Sequence, residues 1–341
     1  MFKQTYNKIM RANLFLGLVL CLSLMACAYQ RAPVDSRITL PNACFPAGFE
    51  AVEICREDSF ASLAAFYLDD PAKGWLIEQY NGHPKLVPGD IIIIPPDSFN
   101  RAGLGPDGFQ TVPVLAYQCL VQKSSNKFEV ITERFIEQMD FLKENDYNVI
   151  TLEQLIDFIN YKEVIPPRAV VITFDKGWRS FYKIAWPLFK KYNFPATLFL
   201  HTDFIGNKKG LSWKELNQMS KEGLDIQCQT KSLRDLIKNK KGDSFKSYFK
   251  TLQKEVMDAR SIINIRLGIQ CKYIAYPYGK IDNLVIAMLQ KLGISAGLTM
   301  ERGSNPAFSD NFRIKRSMIL SDYNIEDFKE NLIIFKSMAL K

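Results

Sequence analysis

The stretch VVITFDKGWRSF, residues 170–181, decides the fold of this 341-residue chain. It begins with an apolar run of strand length, and Gly177 then permits a tight turn into a segment with apolar residues at helical spacing. A buried strand followed by a turn and a helix is one unit of an alternating α/β fold. Asp175 and Lys176 lie where the strand ends, which is the edge of a parallel sheet at which functional groups collect.

The same alternation continues over residues 111–328. Strands are predicted at 112–120, 169–174, 196–200, 224–227, 273–276 and 296–300, and helices at 213–222, 244–267 and 283–292. Strands that alternate with helices over more than 200 residues indicate a parallel sheet with helices outside it, either open or closed into a barrel.

The first 26 residues are predicted to be a signal peptide. Lys3, Lys8 and Arg11 precede an apolar run at 14–26 that is too short to span a bilayer comfortably. The run leads into Cys27, and Leu-Met-Ala-Cys resembles the lipobox of bacterial lipoproteins, in which the cysteine is lipidated. The alternative is an ordinary cleavable signal. Lipidation implies a membrane-anchored envelope protein, and Ala28 after the cysteine favours the outer membrane, facing the periplasm.

Charge and cysteine content restrict the function further. Removal of the three basic leader residues lowers the net charge from +8 to +5, a mild excess that favours anionic cell-wall polymer. The Lys and Arg residues are scattered and no nucleic-acid motif accompanies them, so we expect no nucleic-acid partner. Five cysteines remain after Cys27. Export permits disulfides, but an odd number leaves at least one thiol unpaired and the pairing open.

Residues 27–47 are polar and predicted to be a tether, and residues 48–96 a small folded module. Asp58-Ser59 is typical of a helix N-cap, and the pattern around it predicts strand, helix, helix, strand. With Trp75, Asn81 and the run LVPGDIIIIP from Leu86, the module resembles LysM domains, which bind N-acetylglucosamine chains. The alternative is a structural unit without a ligand. Residues 97–110 are predicted to be a linker and 329–341 a C-terminal tail.

Seven blocks identify the main domain by resemblance. They are VPVLAYQCL, VVITFDKGWRSF, FPATLFLHTDFIG, LSWKEL, LDIQCQTKSLRDL, IAYPYG and LTMERGSNP, in that order. Together they resemble the NodB-type polysaccharide deacetylase family over residues 111–328. The resemblance implies a distorted (β/α) barrel and removal of acetyl groups from N-acetylglucosamine in peptidoglycan, chitin or related glycans.

The same resemblance assigns roles to positions. Asp175 matches the general base of the family. The metal ligands of the family, one aspartate and two histidines, match Lys176, Gln229 and Leu233. A protonated lysine and a leucine have no lone pair to donate, and a glutamine oxygen is a weak zinc ligand. The chain has only two histidines, His83 and His201, so the late histidine that serves the family as general acid is missing too. Gln118 also stands where relatives carry a histidine.

These substitutions lead to a hypothesis about the role of Lys176. A pocket without its metal ion would leave Asp175 poorly compensated, and the ammonium of Lys176 would partly replace the charge of that ion. We predict a pocket that holds no metal or other cofactor.

Several further residues are candidates for glycan contacts. Pro277, Tyr278 and Gly279 match one wall of the family's substrate groove, and Trp178 and Trp213 are either sugar-stacking platforms or helix core. Ala275 stands where many relatives carry an arginine that orients the base.

Two functions from different classes remain open. The first is a non-catalytic envelope lipoprotein that binds peptidoglycan or a related N-acetylglucosamine glycan, with a protein partner possible. The second is an active polysaccharide N-deacetylase with a rearranged zinc or other divalent-metal site. Asp175, His201, Cys119 and Cys228 are the candidate ligands for that second reading, because a thiolate binds zinc well.

Overall fold

The structure is a computed structural model that describes residues 48–239, 242 and 244–338. Cys27, the predicted leader and the tether lie outside the described residues. The described chain divides into two compact units, with the division between Pro96 and Asp97. Each unit is described separately below.

The smaller unit is the predicted strand-helix-helix-strand module. Its elements are β1 (Glu50–Glu53), α1 (Phe60–Tyr67), a 3₁₀ turn (Pro71–Lys73), α2 (Gly74–Tyr80) and β2 (Ile91–Ile94). The two strands pair antiparallel. Ser59 caps α1 in a reciprocal capping box with Ser62, as Asp58-Ser59 predicts. The Asn81 side chain joins α2 to β2, because it donates to Ile77 O and to Ile93 O and accepts from Ile93 N.

The larger unit is built on a strongly curled mixed sheet with helices around it. Its strands are β3 (Leu104–Gly105), β4 (Gly108–Gln110), β5 (Val112–Tyr117), β6 (Cys119–Val121), β7 (Glu129–Ile131), β8 (Asn148–Val149), β9 (Ala169–Lys176), β10 (Thr197–Leu200), β11 (Asp225–Cys228), β12 (Tyr273–Ala275), β13 (Ala296–Leu298), β14 (Ser304–Asn305), β15 (Ser317–Met318) and β16 (Phe335–Ser337). Its helices are α3 (Thr132–Glu144), α4 (Leu152–Ile159), α5 (Trp186–Tyr192), α6 (Trp213–Lys221), α7 (Phe245–Leu267), α8 (Asn283–Lys291) and α9 (Ile325–Lys329).

The sheet closes on itself. Its order is β13, β12, β11, β10, β9, β5, with parallel pairing between neighbours. At one end of this order, Ile314 forms a parallel bridge with Leu298 of β13, and at the other end β15 pairs parallel with β5. Residues 314–318 therefore join the two ends of the curl, which confirms the predicted distorted barrel.

The strand alternation produces two cores. The outer core contains Phe174 and lies between the sheet and the surrounding helices. The inner core contains Val171 and Phe199, which face the inside of the curl, and helix α4 packs against them. Asp175 follows Phe174 and so falls on the inner face. The sequence pattern thus places the Asp175 carboxylate inside the barrel, at the end of its longest strand.

Three short segments differ from the sequence prediction. The strand expected at 112–120 breaks at Gln118 into β5 and β6. In the predicted linker, β3 and β4 form a three-stranded sheet with β16 of the predicted tail. The pairing of β16 with β4 joins residues more than 200 positions apart, so no local periodicity predicts it.

The packing of the outer core leaves no room for a side chain at Gly297 on β13. An added Cβ would lie 1.7 Å from the Tyr276 hydroxyl, which is buried and donates to Phe312 O. We expect Gly297→Ala to lower the free energy of unfolding by about 3 kcal/mol, measured by urea denaturation. Gly105→Ala is the control, since its Cβ would meet nothing closer than 3.7 Å. Equal stability of the two variants would contradict the packing described here.

Within the described residues, no helix combines the length and apolar character needed to cross a membrane.

Candidate functional site

The candidate site lies where β9, β10 and β11 end. In the register of the parallel strands, Lys176 is the partner of Leu200, and Leu200 is the partner of Cys228. Beyond the strands, His201 N donates to Lys176 O and Gln229 N donates to Leu200 O. The parallel register therefore brings the ends of three sequence blocks together at one edge of the barrel.

Asp175 is held by a buried arginine. Arg316 Nη1 lies 2.8 Å from Asp175 Oδ1, and Arg316 Nη2 lies 3.1 Å from Oδ2, a two-point contact between planar groups. Both side chains are fully buried. Arg316 also donates to Thr299 O and to the Thr173 hydroxyl, and its guanidinium carbon lies 5.5 Å from the centre of the Phe199 ring. These contacts come from β9, from β10 and from the residue that follows β13, so Arg316 lies inside the barrel.

This pair corrects the hypothesis about Lys176. The counter-ion of Asp175 is Arg316, and Lys176 forms no ion pair with it. Arg316 belongs to the segment that closes the sheet, and it supplies the guanidinium that the family resemblance places at the Ala275 position. A weak signal for it exists in the sequence: Arg316 alternates with Ile314, so the two share a face, and Ile314 is buried.

The three positions that match the family's metal ligands do not fit a metal. Lys176 is half-buried, Gln229 is buried, and Leu233 is half-buried at the end of the same block. Across the described ranges, no three His, Cys, Asp or Glu side chains come together in an arrangement able to hold a metal ion. A cation, an amide and an alkyl group do not make a donor set, so no step through a metal is derived for this site.

The backbone at two of these positions is unusual. Lys176 has φ +72° and Leu233 has φ +57°, in the left-handed region that residues other than glycine seldom adopt. Aspartate and histidine tolerate this region better than leucine does. The backbone geometry is therefore better suited to the ligands of the resemblance than to the side chains that are present.

The candidate donors for a rearranged site do not come together around Asp175. Cys228 packs in the outer core, with its Sγ 3.8 Å from Tyr273 O, and so lies on the opposite face of the sheet from Asp175. Cys119 Sγ lies 3.7 Å from the Ser180 hydroxyl, and burial raises the pKa of this thiol. His201 is half-buried; burial lowers the pKa of its imidazole, the charge of Asp203 raises it, and the charge of Lys176 lowers it.

Of the aromatic residues predicted to contact glycan, one is exposed and two pack against neighbouring side chains. Tyr278 is 57% exposed, so its ring is accessible to a ligand. Its backbone has φ +60°, and the preceding residue, Pro277, is buried. Trp178 is half-buried, its ring lies 4.7 Å from that of Phe204, and its Nε1 has no hydrogen-bond partner within the described residues. Trp213 packs against the outer core at the start of α6, under Arg266.

His83 lies in the smaller unit. Its exposed imidazole is 3.4 Å from Glu78.

Comparison with known proteins agrees with this geometry. The sequence profile of the polysaccharide deacetylase family matches residues 162–297. A poly-β-1,6-N-acetyl-D-glucosamine N-deacetylase of Staphylococcus epidermidis is 33% identical over 208 residues, which cover 59% of this chain and 71% of the relative. The protein of the same name from Staphylococcus aureus strain MSSA476 is 30% identical over 206 residues, with the same coverage.

Solved structures share the fold. Streptococcus pyogenes deacetylase PplD, in complex with acetate, superposes with a TM-score of 0.59 at 23% identity and covers 65% of this chain and 98% of that one. IcaB from Ammonifex degensii superposes with a TM-score of 0.59 at 21% identity and covers 66% and 98% of the two chains. The strand order, the site at the strand ends and the sequence relatives lead to one assignment: this chain belongs to the polysaccharide deacetylase family.

Proposed function

We propose that this protein is a glycan-binding member of the family in which metal-dependent deacetylation has been lost. Its ligand class is polysaccharide that contains N-acetylglucosamine, since relatives 30–33% identical are named for deacetylation of such a polymer. The observation that carries the proposal is the composition of the strand ends. Asp175 is tied to Arg316, and Lys176, Gln229 and Leu233 occupy the positions matched to metal ligands.

The energetics of the pocket support this proposal. A buried carboxylate requires a compensating charge, and Arg316 supplies it with two hydrogen bonds and full burial. The Asp175–Arg316 pair is thus neutral overall without a divalent ion. A further positive charge in the form of a metal would meet the ammonium of Lys176 at one of its own ligand positions, which disfavours binding.

We propose further that the protein works in the bacterial cell envelope. The basic and apolar leader that ends at Cys27 supports export and lipid anchoring, with the outer membrane, facing the periplasm, as the location. The smaller unit supports a second glycan contact, because its strand-helix-helix-strand order is that of the LysM resemblance. Peptidoglycan is the polymer that such an anchored protein would meet.

Metal analysis and an acetate-release assay test the loss of chemistry. The purified full chain, loaded with excess zinc and then desalted, is expected to retain far less than one zinc per chain. It is also expected to release no acetate from N-acetylglucosamine oligomers. The matched positive control is a relative that is active in the same assay. Stoichiometric zinc together with acetate release would overturn the proposal.

One observation favours the second function, an active deacetylase with a rearranged site. The Asp175–Arg316 pair leaves the general-base position occupied and oriented, as a deacetylase with a rearranged site would need. Cys228 lies on the outer face of the sheet, which leaves His201 and Cys119 as the donors for such a site. The same metal and acetate measurements decide between the two functions.

Retention on insoluble peptidoglycan tests the anchoring role of the smaller unit. We expect the full chain to sediment with peptidoglycan and a chain without residues 48–96 to sediment several-fold less. Equal sedimentation of the two would place all glycan binding in the larger unit. No sedimentation of either would count against glycan binding altogether.

A further inference from the structure

The side chain of Lys176 is half-buried, and its ammonium has no counter-ion within the described residues. In the part of the chain that the structure describes, it forms no ion pair and donates no hydrogen bond. The nearby carboxylates are already paired. Asp175 is held by Arg316, and Asp203 is held by Lys231 at 2.9 Å. An ammonium that has no ion pair can receive an anion, which would form charge-assisted hydrogen bonds with it.

Buried polar atoms without partners surround the same strand ends. The hydroxyls of Thr202 and Thr230 and the Oε1 of Gln229 are buried and have no hydrogen-bond partner in the described residues. The backbone sets these residues side by side, since Thr202 N donates to Thr230 O and Gln229 N to Leu200 O. Native proteins leave few such atoms unpaired, and unpaired ones at a pocket are met by water or by a ligand.

Charged groups of both signs act at the strand ends. Burial lowers the pKa of the His201 imidazole, the charge of Asp203 raises it, and the charge of Lys176 lowers it. Burial and the charge of Glu129 raise the pKa of the Cys119 thiol, whereas Lys209 and Lys176 lower it. Glu129 accepts hydrogen bonds from Ser125. The Glu255 carboxylate, which lies near His201, accepts hydrogen bonds from the backbone N and the hydroxyl of Ser232. The carboxylates of Asp175 and Asp203 thus have ion-pair partners, those of Glu129 and Glu255 have serine hydrogen-bond donors, and Lys176 has no ion-pair partner within the described residues.

We propose that this pocket binds a carboxylate carried by an N-acetylated glycan. The inference rests on the proposed glycan-binding function and specifies its ligand. The ammonium of Lys176 would meet the carboxylate, and the hydroxyls of Thr202 and Thr230 would donate to it or to a bridging water. A neutral acetamide leaves the ammonium uncompensated, and a glucosamine with a free amine is repelled by it.

The test uses two tetrasaccharides that differ in this group. One is an N-acetylglucosamine tetramer, and the other alternates N-acetylglucosamine with N-acetylmuramic acid, whose lactyl ether carries a free carboxylate. Binding of each to the full chain in detergent is measured by titration calorimetry at low and high salt. We expect the carboxylated ligand to bind roughly five- to tenfold more tightly at low salt, with a smaller ratio at high salt.

Variants assign this preference to the pocket. Lys176→Gln is expected to abolish the ratio, and Lys176→Arg to keep it. Lys291→Gln, at the exposed C-terminal end of α8, removes the same charge elsewhere and should leave the ratio unchanged. Unfolding midpoints close to that of the parent chain show that each variant is folded. If Lys176→Gln does not fold, Thr230→Val replaces it and is expected to reduce the ratio.

The outcomes separate the two proposals. Equal binding of the two ligands, or a ratio that Lys176→Gln leaves unchanged, overturns the carboxylate inference while glycan binding stands. Absence of binding to either ligand overturns both.

Discussion

Arg316→Met is expected to lower the free energy of unfolding of the larger unit by about 3–5 kcal/mol. The substitution leaves the buried carboxylate of Asp175 without its counter-ion, in a place where water does not reach it. It also frees the Thr299 carbonyl and the Thr173 hydroxyl from their donor. Because Arg316 lies in the segment that joins the ends of the sheet, we expect the lost free energy to weaken the closure of the barrel. Urea denaturation followed by near-ultraviolet circular dichroism measures it.

Arg313→Met is the matched control. Arg313 lies three residues away and contacts Asp310 at 3.6 Å, but both side chains are about half exposed. Exposed pairs contribute about 0–1 kcal/mol. If the two variants lose the same stability, the buried pair does not hold the barrel.

A double variant separates the charge from the packing. Asp175→Leu combined with Arg316→Met removes both charges and keeps apolar volume at the centre of the barrel. We expect it to recover much of the stability that Arg316→Met loses, because a buried ion pair replaced by apolar side chains is often close to neutral. A double variant less stable than Arg316→Met alone would show that packing, not charge, dominates at this position.

Elements with local signals were predicted well from the sequence. The expected helix from 244 to 267 is observed as Phe245–Leu267, capped by Ser244 at its start and by Gly268 at φ +72° at its end. Strand β9 ends at Lys176, two residues beyond the apolar run that predicts it. Both elements carry their own boundaries, a cap residue or a turn glycine, and tertiary packing did not alter them.

The closure of the barrel could not be predicted in this way. Residues 314–318 touch β13 through one bridge and β5 through a two-residue strand, so they have no periodicity to detect. Arg316 was missed for the same reason, and the charge balance of the site was consequently assigned to Lys176. The family blocks did bring Lys176 and Gln229 to one edge, because parallel register follows from the fold.

Replacing all three positions, Lys176→Asp with Gln229→His and Leu233→His, is expected to create a zinc site. The two left-handed backbone positions, at φ +72° and φ +57°, suit aspartate and histidine better than the present residues, so the change should not strain the chain. The triple variant also removes the unpaired ammonium. With free zinc at about 100 times the dissociation constant, unfolding should cost about 2.7 kcal/mol more than without zinc. The parent chain should show no such change.

The control for this experiment keeps two of the three changes. Lys176→Asp with Gln229→His and Leu233→Ala lacks the third donor and is expected to bind zinc far more weakly, since sites with three protein ligands are the minimum for tight catalytic zinc. Metal content after gel filtration and zinc-dependent unfolding are both measured. A folded triple variant that retains no more zinc than this control would mean that the three side chains do not face one point. The match of Lys176, Gln229 and Leu233 to the metal ligands would then be wrong, and the loss of chemistry proposed here would lose its structural basis.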